Sequence, residues 1–303
     1  MLDSMPEISR PENPNVMINL DNAMNKAIVF GNGESRKWVD TTFWSQDIPT
    51  WGCNAVYRDM WVDNLVAVDY AMQQEIYTAD TLQSQKNEDD DRMRFHFANW
   101  APIPAEISDM MFLGYDIPEE FVHRTKRAGK HTEQCVVSGK DPSRIQESID
   151  LAMKANPNLD PKDLKTKMDK DVGVWITYLD ENDGVIPIDF PVGWSAGNTA
   201  LHLACQQSVK ELYMLGFDLS SYDEPLNNIY KGSDNYLPSD AKGFNTVNWL
   251  NQMQTVFKEF KDTRFYWVDP IHRKGKIDDT ESEINSVRYL TKAEFCGKLG
   301  LIN

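Results

Sequence analysis

Two small-residue turns carry the residues best placed to do chemistry. The first, Gly31-Asn32-Gly33-Glu34-Ser35, ends the apolar run Ala27-Ile28-Val29-Phe30. A strand that ends in Gly-Asn-Gly and runs into a helix is expected to leave backbone N–H groups facing a crevice, where open α/β sheets bind phosphates. The second turn is Val192-Gly193-Trp194-Ser195-Ala196-Gly197-Asn198-Thr199-Ala200. Its Ser195, Gly197 and Asn198 lie where a helix begins, a place suited to a phosphate or a sugar carboxylate. A capped helix packed on a sheet explains the same residues equally well. Ten residues on begins the run Lys210-Glu211-Leu212-Tyr213-Met214-Leu215, a strand that Gly216-Phe217-Asp218 closes. Two such turns in one chain suggest a nucleotide site assembled from both.

The side chains around these turns add detail. Gly31-Asn32-Gly33 is not the GxGxxG fingerprint, because position 36 is Arg, and it is not a P-loop. An ordinary tight βα turn is the competing reading. Asn32 can hydrogen-bond a base or sugar, and Ser35 can cap a helix or touch a phosphate. Asn54 ends a second strand, where it can face the same ligand as Asn32 or serve only as a strand-ending turn residue. Cys53 sits inside that strand and reads as core rather than nucleophile. Asp69 ends a third strand as a candidate for sugar hydroxyls or a reacting proton, or as the cap of a helix over 70–78. His202 reads as a core-edge residue rather than a base. The polar loop after Asp218 holds Tyr222, Tyr230, Lys231 and Tyr236, where specificity groups belong.

These residues need a scaffold, and the composition says which kinds are available. The chain has 303 residues, 41% hydrophobic, nine of them Trp, enough for a substantial core. Its formal net charge of −16 disfavours a nucleic-acid partner, which would draw on Lys and Arg. The four cysteines and five histidines show no metal-ligand spacing, so no metal and no disulfide framework is expected. The acidic turn Asp180-Glu181-Asn182-Asp183-Gly184 does not match an EF-hand loop. No apolar run approaches a transmembrane span, and Met1–Glu7 lacks a signal-peptide pattern. A cytoplasmic location is the expectation, and a homo-oligomer is compatible with it.

Short apolar runs alternate with helical stretches, which predicts an α/β fold: a doubly wound, mostly parallel sheet. Strands are expected at Lys26–Gly31, Thr50–Val56, Asn64–Asp69, Arg94–Ala98, Met111–Gly114, Val172–Leu179, Glu211–Gly216 and Thr263–Val268. Helices are expected from Ser195 to Gln207, from Phe244 to Phe260 with Asn245 as cap, and over Thr291–Leu299. Residues 1–25 read as an irregular arm and 84–91 as a polar loop. The α/β domain is expected over 26–123 and 171–275, interrupted at 124–170 by a helical insertion or lid with helices near 143–155 and 161–169. Residues 276–303 form a C-terminal segment.

The series of motifs resembles the bacterial sialyltransferases that make lipooligosaccharide sialic-acid linkages. It is also similar to Rossmann-like proteins of the archaeal hydroxymethylpterin diphosphokinase and motility-associated glycosyltransferase type. Those proteins begin with a strand and a GxGPS-like turn; here Glu34 stands where Pro is usual. In the sialyltransferases a Cys-Asn pair and an aromatic follow, as Cys53-Asn54 and Tyr57 do here. Next come a Ser-Gly segment opening a small-residue helix (Ser195-Ala196-Gly197), a strand ending Gly-x-Asp (Gly216-Phe217-Asp218) and a strand ending in Pro270. The resemblance touches residues 26–270 and implies a CMP-linked sugar donor as substrate, a glycan acceptor, and no separate cofactor. It implies that Asn32 and Asn54 contact the CMP part or its sugar. Ser195 and Gly197 would line the donor site, and Tyr222 or Tyr230 would stabilise the departing phosphate.

One departure matters for the chemistry. The sialyltransferases place a basic His shortly before the helix that here begins near Phe244. This chain reads Pro238-Ser239-Asp240-Ala241-Lys242-Gly243 instead. Asp240, Asp218 and Asp69 are the substitutes in reach of the motif. Three readings stay open: a nucleotide-sugar glycosyltransferase, a nucleotide-binding pyrophosphokinase-like enzyme using Asp69 with Asp218, and a binding protein that kept the fold without the chemistry.

Overall fold

A computed structural model describes residues 25–39, 48–79, 93–98, 122–126, 133–140, 142–165, 174–178, 185–188, 191–193, 195–219, 224–243, 246–270 and 287–301. The expectations for residues 1–24, 84–91, Met111–Gly114, Asp180–Gly184, Tyr222 and Asn245 lie outside these described residues.

Eight strands form the main sheet: β1 (Lys26–Phe30), β2 (Thr50–Cys53), β3 (Asn64–Ala67), β4 (Arg94–Ala98), β8 (Val185–Ile188), β9 (Glu211–Leu215), β10 (Arg264–Val268) and β11 (Val287–Leu290). Their order is β11-β10-β9-β1-β2-β3-β4-β8, and every pairing is parallel. From β1 the chain winds one way through β2, β3, β4 and β8. It then returns to the other side of β1 with β9 and continues through β10 and β11. The strand order reverses between β1 and β9, and a parallel sheet opens a crevice at such a reversal, beyond the carboxyl ends of the strands.

The apolar runs alternate between two buried layers, as a parallel sheet covered on both faces requires. Ala27 and Val29 of β1 pack with Leu212, Met214, Phe265 and Trp267 on one face. Helix α3 (Ala196–Gln206) covers that face with Ala200, Leu201, Ala204 and Cys205, and α4 (Val247–Glu259) with Met253, Val256 and Phe257. Ile28 and Phe30 face the opposite layer with Tyr213 and Tyr266. There α1 (Tyr70–Thr78) contributes Met72 and Ile76, and α5 (Lys292–Leu299) contributes Phe295 and Leu299. The small side chains of α3 let its axis approach the sheet closely. Each large apolar side chain sealed in these layers contributes roughly 1.5–3 kcal/mol. The fold is thus α/β, doubly wound and Rossmann-like, and its sheet is parallel throughout.

The segment expected as a helical insertion is built differently. It contains α2 (Pro142–Ala155) and a helical turn at 161–165, but also a three-stranded antiparallel sheet of β5 (Val122–Lys126), β6 (Glu133–Lys140) and β7 (Val174–Tyr178). The described part of the run expected at Val172–Leu179, Val174–Tyr178, therefore belongs to this small sheet and not to the main one. The main sheet resumes only at β8. A short β-branched run looks the same in either sheet, which is why its pattern misled. The C-terminal segment is likewise part of the main domain, because β11 forms its edge and α5 closes one face. Helix α5 is well delimited: Thr291 and Glu294 form a capping box, and Gly300 closes it at φ 68°.

Candidate functional site: an amide-lined pocket at the strand reversal

The two turns meet across the β1/β9 boundary, and their contact is very close. The Gly31 amide donates to Leu215 O and the Gly33 amide to Gly216 O, both at 2.8 Å. A Cβ on Gly33 would lie 2.7 Å from Gly216 O and closer still to the Asp218 carboxylate. Gly216 has φ 71°, a left-handed conformation that favours glycine. Trp267 Nε1 donates to Phe217 O at 3.1 Å, which ties the second turn down to β10.

This packing corrects the expectation that the first turn offers free amides to a phosphate. Residues Glu34–Arg36 form a single 3-10 turn, and its amides are already taken. Glu34 N donates to Asn227 Oδ1 and Ser35 N to Asp218 Oδ2, each at 2.8 Å. Asp218 thus sits where an anion would, as an internal counterpart to the turn. The Arg36 side chain, 3% exposed, points under the turn: its Nε donates to Gly31 O at 2.7 Å and one Nη to the Tyr230 hydroxyl at 2.7 Å. Tyr230 in turn donates to Asp59, and burial pushes its hydroxyl pKa up. Tyr230 is a buried prop of the site and does not line it.

The turns open onto a cavity of about 730 Å³, within the range of small-molecule sites. It brings together Asn32, Asn54, Asp69, Ser195, Gly197 and Asn198, along with Gly31, Gly33 and Asp218. Ser35 and Asp240 are outside its lining. Ser35 is turned into the protein with a buried hydroxyl, and Asp240 is exposed on a turn. Cys53 reaches the cavity wall, but its thiol donates to Phe30 O and burial raises its pKa to about 12, so it stays protonated.

The second turn keeps the anion-binding character that the first lost. Ser195 caps α3 by accepting from the Asn198 amide at 3.1 Å, and its carbonyl accepts from Thr199 N. Among the described residues nothing accepts from the amides of Ala196 and Gly197, both on the cavity wall. Helix α3 therefore presents two open amides and the positive end of its dipole to the cavity.

The loop between β9 and α4, which its tyrosines mark in the sequence, supplies part of the lining. Tyr236, rather than Tyr230, lines the cavity, and its hydroxyl accepts from Asn32 Nδ2 at 3.2 Å and from Ala55 N at 3.4 Å. Asn32 Nδ2 also donates to Cys53 O at 3.3 Å. The loop is latched from behind by Arg58. Its guanidinium grips Glu75 through Nε and Nη at 2.6–2.8 Å and reaches Ser233 Oγ at 2.7 Å and Asp234 O at 3.0 Å. Asn235 Nδ2 donates to the same Glu75 at 2.6 Å. A cluster of Asn and Tyr in one loop was the available signal, but only the fold shows which of them face inward.

The electrostatic character of the cavity is unusual. Seven asparagines line it (32, 54, 198, 227, 228, 235 and 248), with Gln252. Among the described lining residues, Asp69 and Asp218 are the only charged ones. The oxygens Asn32 Oδ1, Asn54 Oδ1, Asn198 Oδ1 and Gln252 Oε1 are shut off from water and lack a hydrogen-bond partner. Each such acceptor costs roughly 1–3 kcal/mol until a donor reaches it. Terminal amides rotate easily, so small side-chain turns would present them to a ligand. Asn54 has φ 51° at the strand end, a left-handed conformation that Asn tolerates better than most residues. No group of three or more metal-ligating side chains occurs among the described residues. Nor is any helix there long and apolar enough to cross a membrane.

No protein family matches the chain, and no curated protein matches it. Among solved structures it is similar to the monofunctional alpha-2,3-sialyltransferase Cst-I from Campylobacter jejuni. The two are 15% identical over 85% of this chain and 79% of that chain, with a TM-score of 0.39.

Proposed function

We propose that the cavity binds a nucleotide-linked sugar of the CMP type and that the chain transfers the sugar to a glycan acceptor. One observation carries this reading: a pocket lined by amides, with no cation among its described lining residues, at the strand reversal beside two open amides of a helix N-terminus. Amides serve the hydroxyls of a sugar and the edge of a base, since each supplies both a donor and an acceptor. A phosphodiester carries one negative charge, which suits the partial positive charge of a helix N-terminus, roughly half a unit. A diphosphate carries more and draws on Lys or Arg, which the described lining lacks. The motif series Asn32, Cys53-Asn54, Ser195-Ala196-Gly197 and Gly216-Phe217-Asp218 supports the same substrate class.

In the transfer, the bond from the anomeric carbon to the phosphate oxygen breaks and a new bond forms to an acceptor hydroxyl oxygen. The electron pair leaves with CMP, and the amides of Ala196 and Gly197 stabilise the charge that grows on its phosphate. The acceptor proton passes to a carboxylate. Asp69, exposed at the head of α1 and on the cavity wall, is the base in this reading, and Asp218, which accepts from the Ser35 amide, holds the first turn.

Thermal unfolding with CMP tests the reading. A nucleotide at one hundred times its Kd adds about 2.7 kcal/mol of stability, and the melting temperature rises by several degrees. Asn32→Ala should abolish the rise. Absence of both a CMP-dependent shift and CMP release from CMP-sugars would overturn it.

A further inference from the structure

A cluster of positive charge lies at the opposite end of the sheet from the cavity. Lys26, Glu211 and Arg264 open β1, β9 and β10, and the strand registers set them in one row across three neighbouring strands. Lys298 reaches the same face from α5. We propose that this cluster is a binding site for a phosphate dianion, either inorganic or carried as a monoester. Five residues of β1 separate Lys26 from the cavity-lining Gly31, about 16 Å at roughly 3.3 Å per residue. The site therefore stands apart from the cavity and does not rest on the nucleotide-sugar reading.

The charges in this cluster do not balance. Among the described residues, Glu211 is the one carboxylate in ion-pair reach of the three cations. Arg264 Nη1 lies 3.7 Å from its Oε1 and Lys26 Nζ lies 4.0 Å from its Oε2, both too far for a hydrogen bond. Hydroxyls take the two oxygens instead: Tyr213 donates to Oε2 at 3.0 Å and Tyr266 to Oε1 at 3.1 Å. These two phenols are stacked with centroids 4.9 Å apart and hold Glu211 in place. Lys298 Nζ donates to the Tyr266 hydroxyl at 3.3 Å and sits 4.7 Å over its ring, with no carboxylate of its own. Three positive charges thus face one negative charge.

Lys26 is 8% exposed, and no described residue accepts a hydrogen bond from its ammonium. A cation held that far from water is costly unless an anion comes to meet it. Arg264, by contrast, is exposed, and its Nε and second Nη have no partner among the described residues. That fork fits two oxygens of one phosphate. Arg264 Nη1 and Lys298 Nζ reach the same Tyr266 hydroxyl, at 3.5 Å and 3.3 Å, so a single anion spans both, with Lys26 behind it adding charge. A phosphomonoester carries nearly two negative charges near neutral pH, which matches the local excess, whereas a carboxylate carries one. The chain as a whole bears a net charge of −16 and repels anions at long range. A local excess of cations is what lets one settle here.

Isothermal titration calorimetry on the full chain, at about pH 8 and constant ionic strength, tests this with inorganic phosphate and with a hexose 6-phosphate. At least one should bind, and sodium chloride at matched ionic strength should give no heat. Arg264→Gln and Lys298→Gln, both at exposed positions, should each weaken binding by about tenfold, the worth of one charge-assisted hydrogen bond. Glu211→Gln, shown to be folded by circular dichroism, should tighten binding by about fivefold, because it removes the carboxylate that opposes the anion. A cluster that served only to pair its own charges would give no binding to tighten. Sedimentation with vesicles of phosphatidic acid in phosphatidylcholine identifies the source. Co-sedimentation that free phosphate competes away supports the site with its phosphate on a lipid; calorimetric binding without co-sedimentation supports it with a soluble one. The site is overturned if no phosphate binds, free or on vesicles, or if chloride gives the same heat. It is equally overturned if both Arg264→Gln and Lys298→Gln bind like the unaltered protein, or if folded Glu211→Gln binds no tighter.

Discussion

The Asp218 carboxylate accepts a hydrogen bond from the Ser35 amide at 2.8 Å, so the acid that ends β9 holds the turn that ends β1. This assigns Asp218 a positioning role. Asp218→Ala leaves the Ser35 amide unpaired at a cost of roughly 1–3 kcal/mol, and the CMP thermal shift should shrink with it. Asp218→Asn keeps an oxygen acceptor, so it should restore the shift and, under the proposed function, hold turnover of CMP-sugar within about threefold of the unaltered protein. A catalytic base would instead lose roughly 100-fold or more in Asp218→Asn. Turnover assays on the two variants decide between these roles.

Gly33→Ala tests the closeness of the two turns directly. The added methyl meets the Asp218 carboxylate and Gly216 O at once, and Gly216 O is backbone that cannot swing away. We expect a loss of roughly 1–3 kcal/mol, as for other overpacked sites, read from urea unfolding. Gly297→Ala, where a Cβ meets nothing within 4 Å, is the control and should be neutral or slightly stabilising.

The Arg58–Glu75 pair governs the loop that carries Tyr236. Both side chains are largely buried, and Glu75 also accepts from Tyr57 and Asn235. Glu75→Gln removes the carboxylate charge from this junction and leaves the largely buried Arg58 guanidinium without this counter-ion. The loop over 226–243 should then exchange its amide hydrogens faster, by about tenfold or more. CMP binding should weaken alongside, because Tyr236 no longer braces Asn32. Hydrogen exchange resolved by peptide separates this from global loosening: peptides from β9 and β10 should keep their protection.

Much of the scaffold was legible because the core strands are short apolar runs ended by Gly, Asn or Asp, a pattern that parallel sheets impose. The same logic placed Asn32, Asn54, Ser195 and Asp218 at strand ends, and strand ends of one sheet share one crevice. What the sequence hid was direction. The Gly33–Ser35 amides look free until the fold brings Asn227 and Asp218, some 190 residues away, against them. Tyr230 and Tyr236 are six residues apart and alike in composition, yet one props the turn from below and the other lines the cavity. Gln252 lies on α4 beside the apolar stripe of that helix, so its place in the cavity wall emerges only when α4 packs beside α3. The run at Val174–Tyr178 carried no mark of which sheet it would join.

His96 gives the protein a built-in acid sensitivity unrelated to the cavity. Its ring is buried on β4, tilted against Trp51 with centroids 5.1 Å apart, and its Nε2 lies 3.1 Å from Asn64 Oδ1. Asn64 Oδ1 can only accept, so Nε2 carries a proton in this contact. Burial is the main cause that lowers its pKa from 6.5 to about 4, with Arg94 adding to it. The unfolded chain therefore binds a proton between pH 6.5 and 4 that the folded chain does not. Stability from this residue is complete above pH 6.5 and is lost as the pH falls toward 4, by about 3 kcal/mol in all. His96→Gln removes the titration and keeps a polar side chain near Asn64. Urea unfolding measured from pH 7.5 to 4 should show a shallower decline for the variant than for the unaltered protein. Parallel declines would mean that His96 takes up its proton in the folded state.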